Sequence, residues 1–168
     1  MNLAALLLCV FSTFAMTGLI WLIQVVQYPL MSEVGEGAFV NYEQAHCQRI
    51  TPVVLPLMTV ELVSAAWLFW RPVPGSSLPL TVAFAALLAV WASTFFIQVP
   101  VHNQLCVAFN AEQHRWLVQS NWIRTALWSL RSGLMLWVLA QQLLQPAEET
   151  IEAGQRSSSP VTSPAQLP

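Results

Sequence analysis

The sequence contains no lysine and no aspartate, and charged residues make up only 8% of its 168 positions. Soluble domains carry about 25% charged residues, so this chain has too few charges to cover a water-soluble surface. The formal net charge is -2, and the six arginines form no basic patch or stripe. Because a nucleic-acid-binding protein needs such a patch to follow the phosphates, we expect no nucleic-acid partner.

Paired cysteines and a signal peptide are also missing. The three cysteines, Cys9, Cys47 and Cys106, are an odd number without paired spacing, which indicates no disulfide framework. The first apolar stretch has no basic residue before it and is longer than the core of about 7–15 residues that a signal peptide has. We therefore interpret the first stretch as a retained helix.

Apolar residues are abundant, at 56% of the chain, and they concentrate in four long stretches. A helix needs about 20 predominantly apolar residues to cross a bilayer. We predict an all-α fold in which residues 1–145 form one integral membrane domain, a four-helix bundle built from two helical hairpins. The bilayer is its expected partner, and we expect a multi-pass protein of a bacterial inner membrane. The helices are predicted near 3–27, 52–70, 78–100 and 121–144.

The connections between these helices differ in length and composition. Residues 71–77 form a short link rich in proline, glycine and serine. The connections 33–50 and 105–119 mix aromatic with polar residues, and we predict short amphipathic segments there. From residue 146 to residue 168 the chain is rich in proline, serine and glutamate, a composition that predicts a disordered tail.

A polar pattern occurs twice, each time where an apolar stretch ends. In each copy two polar side chains four residues apart share one helix face. Both copies are predicted at the same membrane face, which suggests two related halves with one polar site between them. The copies read Ile23-Gln24-Val25, Tyr28, Phe39, Glu43-Gln44, His46 and Arg49-Ile50-Thr51, and then Ile97-Gln98-Val99, His102, Phe109, Glu112-Gln113-His114 and Ile123-Arg124-Thr125.

Two ionisable residues fall near the middle of predicted membrane helices. Glu61 and Arg131 lie at about the same depth from the shared face, roughly 15 Å at about 1.5 Å per residue. A lone ion at the centre of a membrane helix costs about 2.5–3.5 kcal/mol, so we expect these two to face the bundle as an ion pair. The pair either fixes helix register or forms the floor of a cavity.

The polar end of the predicted bundle contains the candidate site. The histidines are candidate acid–base catalysts, because imidazole titrates near neutral pH, and a metal role for them stays open. Arg124 would stabilise oxyanion charge, or would instead reach lipid headgroups. The remaining polar residues would orient a ligand. The candidate catalytic residues are His46, His102, His114 and Arg124, and the candidate ligand-binding residues are Gln24, Tyr28, Arg49, Gln98, Asn103 and Asn121.

Several of these residues give the chain a family resemblance. It resembles the anthrone oxygenase-like family of small four-helix membrane proteins over roughly residues 15–130. The resemblance implies a four-helix membrane bundle and an oxygen-dependent oxidation of a phenolic or polyketide-like compound. The matching elements are Tyr28-Pro29, Phe39, His46, Pro100, Asn103, Leu105, Trp116 and Asn121-Trp122-Ile123-Arg124.

Three functions follow from these patterns as hypotheses. The first is a membrane protein that binds a small aromatic or quinone-like molecule and oxidises it as an oxidoreductase. The second is a non-enzymatic membrane subunit or scaffold, whose protein partner the sequence does not identify. The third is a haem- or metal-binding electron-transfer protein with two histidines facing each other. The sequence specifies no cofactor and no metal.

Overall fold

The structure is a computed structural model that describes the backbone of residues 2–158 and the side chains of residues 2–144. Within these bounds it contains helices and no strand, which confirms the all-α prediction for the described residues. Four long helical segments account for nearly all of it. They are α1 (Asn2–Val34), α2 (Glu36–Trp70), α3 (Ser77–Leu105) and α4 (Ala111–Ser158).

Specific residues end or start the helices. Gly35 separates α1 from α2 with a φ of +76°, a left-handed conformation that glycine adopts without a Cβ penalty. Asn110 caps α4, because its Oδ1 accepts hydrogen bonds from the backbone N–H groups of Glu112 at 2.9 Å and Gln113 at 3.0 Å. Short links therefore join long helices.

The helices are longer than the sequence predicted. The connection 33–50 is not a separate amphipathic segment, since α2 runs unbroken from Glu36 through Pro52 and Pro56. Packing explains the extension, because Phe39 is buried against the core at that end. In the connection 105–119, α4 likewise begins at Ala111.

The structure describes the backbone of only part of the predicted polar tail, residues 146–158. Helix α4 continues past residue 146 as far as Ser158. The remaining residues of the predicted tail, 159–168, lie outside the described part of the chain.

Three of the four helices, α1, α2 and α3, are long and apolar enough to cross a membrane. The fourth predicted segment, 121–144, lies within α4, which is not among those three. Arg124 and Arg131 reduce its apolar character, and both side chains turn inward, with exposed fractions of 7% and 0%.

The helices pack side by side around three buried apolar clusters. Helix α1 contacts α2 and α4 most extensively, and α3 packs mainly on α4. The lowest cluster includes Leu6 and Leu87, the middle one Met16 and Trp128, and the upper one Phe39 among others. The upper cluster lies at the end that carries the duplicated polar pattern.

Two π-helical turns interrupt α1 and α3 at this end. They cover Ile23–Gln27 and Thr94–Gln98, and each is closed by a backbone hydrogen bond five residues long. Each ends in glutamine two residues before a proline, Pro29 or Pro100. Proline lacks an N–H and its ring crowds the carbonyl four residues earlier, so a wider turn relieves the strain. The extra residue in each turn changes which side chains face inward.

Candidate functional site

A chain of hydrogen bonds joins one residue from each of the four helices. The carboxylate of Glu43 on α2 contacts Nδ1 of His102 on α3. The other ring nitrogen of His102, Nε2, lies 2.9 Å from the hydroxyl of Tyr28 on α1. Nη2 of Arg124 on α4 donates to the same hydroxyl at 3.4 Å. Residues far apart in sequence thus meet at one point.

Arg124 is a buried cation whose hydrogen bonds, among the described residues, all go to neutral groups. Its Nε donates to Oδ1 of Asn121 at 2.9 Å, and its Nη2 donates to the same oxygen and to Tyr28. Asn121 is held in turn by Gln24, whose Oε1 accepts its amide at 2.8 Å. The two salt bridges of the described chain involve other residues. The guanidinium therefore has unused donors and an uncompensated charge.

A cavity of about 320 Å³ lies next to this cluster, mainly between α2 and α3. Tyr28, His102 and Arg124 line its polar end. Its other walls are mostly apolar and include Met16, Ile20, Ile50, Val54, Met58, Trp91, Phe95 and Trp128. An apolar pocket with a few converging polar groups is the usual form of a small-molecule site.

The predicted catalytic histidines have different surroundings. His46 lines the cavity, and its Nδ1 lies 2.6 Å from Nε2 of Gln27, which donates to it. Its ring centroid is 5.6 Å from that of His102. His114 instead donates from Nε2 to the carbonyl of Tyr28 at 3.1 Å. Burial lowers the pKa of His114, so the neutral ring is favoured there.

Some of the other predicted ligand-binding residues line the cavity and some do not. Gln98 and Asn103 line the cavity. Gln98 is buried and donates to Oγ of Ser120 at 3.2 Å, while its Oε1 has no partner among the described residues. Arg49 is exposed and lines a separate space of about 250 Å³ that also borders His46. Arg49 is therefore not brought to the cluster.

Glu61 and Arg131, predicted as an ion pair, are in direct contact. Oε1 of Glu61 accepts hydrogen bonds from Nε of Arg131 at 3.0 Å and from Thr13 at 2.7 Å. Its Oε2 accepts from Nε1 of Trp128 at 3.0 Å. Nη1 of Arg131 also donates to the backbone carbonyl of Ala83. Both carboxylate oxygens thus accept hydrogen bonds. One of the donors, Trp128, also lines the cavity and so links the ion pair to the cavity wall.

Sequence reasoning missed the role of Glu43. The duplicated pattern contained it, but its position on a connection gave no reason to expect complete burial. A usable signal was present in the spacing, because Glu43 and Cys47 are four residues apart, as are His102 and Cys106. Ligand atoms of Glu43, Cys47 and His102 lie within 4.8 Å of one another, so this group has the donors to hold a metal ion.

No protein-family model, no curated protein and no solved structure matches this chain.

Proposed function

We propose that this protein is a four-helix membrane bundle made of two helical hairpins, inserted in a bacterial inner membrane. The apolar side chains on the outside of the helices support insertion. Phe11 is 66% exposed, Val63 65% and Phe96 81%, which is more apolar surface than a soluble monomer shows. On α4 the two buried arginines face inward while Leu130 and Leu136 face outward, half exposed. Such a division lets α4 cross the bilayer as well.

Within this bundle, we propose that the cavity binds a small phenolic or quinone-like molecule. The single observation that supports this is Arg124, a buried guanidinium at the cavity wall that contacts no carboxylate of the residues whose side chains the structure describes. A phenolate or carbonyl oxygen supplies the missing negative or partial negative charge. The apolar walls, with Trp91 and Trp128, suit an aromatic ring system.

The position of the cavity suggests how such a ligand enters. The cavity lies between α2 and α3, and its rim includes Leu55 and Phe95, which are 51% and 55% exposed. These side chains face the hydrocarbon in a membrane-inserted bundle. An apolar ligand dissolved in the bilayer therefore reaches Arg124 through the gap between α2 and α3, without passing the polar end of the bundle.

The resemblance to anthrone oxygenase-like proteins supports a reaction at this site. We propose that the bound phenolic compound is oxidised by dioxygen, as in the conversion of anthrone to anthraquinone. The methylene carbon loses two hydrogens and gains one oxygen atom, and the second oxygen atom leaves as water. Arg124 and the hydroxyl of Tyr28 stabilise negative charge on the substrate oxygen as the carbanion-like enolate forms.

Binding is tested with the purified full chain in detergent, using quenching of tryptophan fluorescence by anthrone and by anthracene. Anthracene has the same ring skeleton without oxygen. For Arg124→Gln we expect anthrone affinity to fall about ten- to hundredfold, the equivalent of a lost charge-assisted hydrogen bond, with anthracene affinity unchanged. Arg115→Gln, which alters an exposed arginine of the same helix, is the matched control.

Two results would overturn parts of this proposal. If Arg124→Gln binds anthrone as tightly as the unchanged protein, Arg124 is not the oxygen-binding group and the non-enzymatic scaffold becomes the better hypothesis. If anthrone binds but anthraquinone forms no faster than without protein, and dioxygen is not consumed, the site binds such ligands without oxidising them.

A further inference from the structure

We propose that Glu43, Cys47 and His102 form a binding site for a divalent transition-metal ion, and that the donor set suits zinc. Their carboxylate, thiol and imidazole groups converge from α2 and α3, with ligand atoms within 4.8 Å of one another. Oxygen, sulfur and nitrogen ligands in this combination are those that zinc accepts. Cys47 and His102 also line the cavity described above, but the proposal does not rest on the ligand proposed there.

The spacing along the helices brings four potential ligands together. Glu43 and Cys47 are four residues apart on α2, so both face the same side of one turn. His102 and Cys106 are four apart at the end of α3 and face them. Helix α2 thus offers two potential ligands, and the end of α3 with the residue that follows it offers two more. Metal sites in helix bundles are built from side chains on facing helices.

The distances from Sγ of Cys47 to its neighbours fit a zinc site. Sγ of Cys47 lies 3.6 Å from Oε1 of Glu43 and 3.8 Å from Nδ1 of His102. In a tetrahedral zinc site with Zn–S of about 2.3 Å and Zn–N or Zn–O of about 2.0–2.1 Å, such ligand atoms are about 3.5–3.6 Å apart. Sγ of Cys106 is 3.8 Å from Sγ of Cys47, close to the separation of about 3.8 Å between two zinc-bound thiolates.

The burial of Glu43 also favours a bound cation. Glu43 is completely buried, and its Oε2 has no hydrogen-bond partner among the described residues. A buried carboxylate oxygen without a partner costs free energy, and native proteins usually provide a donor or a cation. A metal ion beside Glu43 supplies that cation. It also neutralises the thiolate of Cys47 in the same apolar interior.

Binding the ion moves Oε1 of Glu43 and Nδ1 of His102 apart, because these two atoms are in direct hydrogen-bond contact, closer than two ligand atoms of one zinc ion lie. It replaces the contact between Glu43 and Nδ1 of His102, and the thiol proton of Cys47 leaves to solvent. His102 then keeps its one ring proton on Nε2, which faces the Tyr28 hydroxyl at 2.9 Å. Zinc-bound histidines usually donate their second ring nitrogen to a neighbouring acceptor, and Tyr28 is placed for that role.

The test uses the purified full chain in detergent, with its thiols reduced, its metals removed by a chelator that is then washed out, and cobalt(II) as the probe. We expect one cobalt(II) per chain, with the near-ultraviolet charge-transfer band of a cobalt–thiolate bond. Cys47→Ser and Glu43→Gln should each weaken binding by more than about a hundredfold, since the loss of even an outer-shell partner costs about 10- to 100-fold. Zinc should displace the cobalt.

Cys9→Ser is the matched control, because Cys9 is a buried cysteine of the lowest core cluster and its substitution should leave cobalt binding unchanged. Cys47→Ser and Glu43→Gln are close in shape to the native residues, and thermal unfolding checks that they fold. The proposal is overturned if the reduced protein binds no cobalt(II) tightly, or if both variants bind it as well as the unchanged protein does. Arg124→Gln should bind cobalt(II) normally, which separates this result from a failure of the phenol-binding proposal.

Discussion

Two buried arginines on α4 have opposite surroundings, although they are only seven residues apart. Arg131 contacts a carboxylate, a backbone carbonyl and the hydroxyl of Thr13, so its charge is neutralised and its donors are used. Arg124 contacts one amide oxygen and one phenolic hydroxyl, and it borders a cavity. A buried charge with a full set of partners holds helices together, whereas one without a counter-charge is available to a ligand.

The strongest test of this contrast removes the neutralised arginine. Arg131→Gln leaves Glu61 as a buried carboxylate without its cation, because Oε1 of Glu61 loses the hydrogen bond from Nε of Arg131 and the ion-pair contact with Nη2. Removing one partner of a buried pair costs about 3–5 kcal/mol. We expect a large fall in folded yield and in the midpoint of thermal unfolding in detergent. A variant that unfolds like the unchanged protein would show that the pair contributes little to folding.

The matched change at the other arginine should have a much smaller effect on stability. Arg124→Gln removes a buried charge that has no carboxylate partner within residues 2–144, so less favourable interaction is lost with it. We expect the free energy of unfolding to change by only about 1 kcal/mol, the contribution of an ordinary hydrogen bond. If Arg124→Gln destabilised the protein as much as Arg131→Gln, the contrast would fail and Arg124 would be structural.

The contrast also shows what the sequence could predict. Glu61 and Arg131 could be placed at one depth from helix geometry alone, because a charge inside an apolar stretch must find a partner. The gathering of Tyr28, His102 and Arg124 followed from the duplicated pattern and from the even number of helices. Apolar length and periodicity therefore predicted the all-α fold and the end of the molecule that carries the site.

Other features depend on side-chain packing that a one-dimensional pattern does not contain. Glu43 looked like a surface residue of a connection, yet the extension of α2 buries it completely. Arg49 was predicted at the site, but six residues along the helix from Glu43 it points to another side and is exposed. Both π-helical turns end at a glutamine two residues before a proline, a pattern that is visible in the sequence. The pattern alone did not predict a π-helical turn, which became evident only from the backbone.

The duplicated glutamines give a second comparison between a buried side chain with a full set of partners and one without, with a smaller expected effect than that of Arg131→Gln. Gln24 uses both ends of its amide, accepting from Asn121 at 2.8 Å and donating to the carbonyl of Val118 at 3.1 Å. Gln98 uses only its nitrogen, and its oxygen is unpartnered among the described residues. Gln24→Leu should therefore cost about 1–3 kcal/mol by leaving buried groups unpaired. Gln98→Leu should cost less than that.

Thermal unfolding of both leucine variants in the same detergent measures this difference. The two positions are equally buried and the substitutions are identical, so each serves as the control for the other. For anthrone affinity we expect the opposite order: Gln98→Leu should lower it more than Gln24→Leu, since Gln98 lines the cavity and Gln24 does not. Equal stability losses would mean that the unpartnered oxygen of Gln98 has an interaction in solution that the described residues do not provide.

The smallest expected effect concerns His114, which supports the site from outside the cavity. Its ring donates to the carbonyl of Tyr28 and packs against Phe39. Two titratable groups on other helices also act on its pKa: Glu43 raises it and His102 lowers it. Burial lowers its pKa below the usual value of about 6.5. As pH falls, the unfolded chain therefore takes up a proton at His114 at a higher pH than the folded chain does, and stability is lost as pH falls through about 6.5.

His114→Gln keeps an N–H donor but does not titrate, and the other histidines are common to both proteins. We expect the unfolding midpoint of the unchanged protein, measured relative to His114→Gln, to decrease between pH 7.5 and pH 5.5, values chosen about one unit on either side of that pKa. A difference that stays constant over this range, or that increases toward acid, would contradict the burial of a neutral ring at this position.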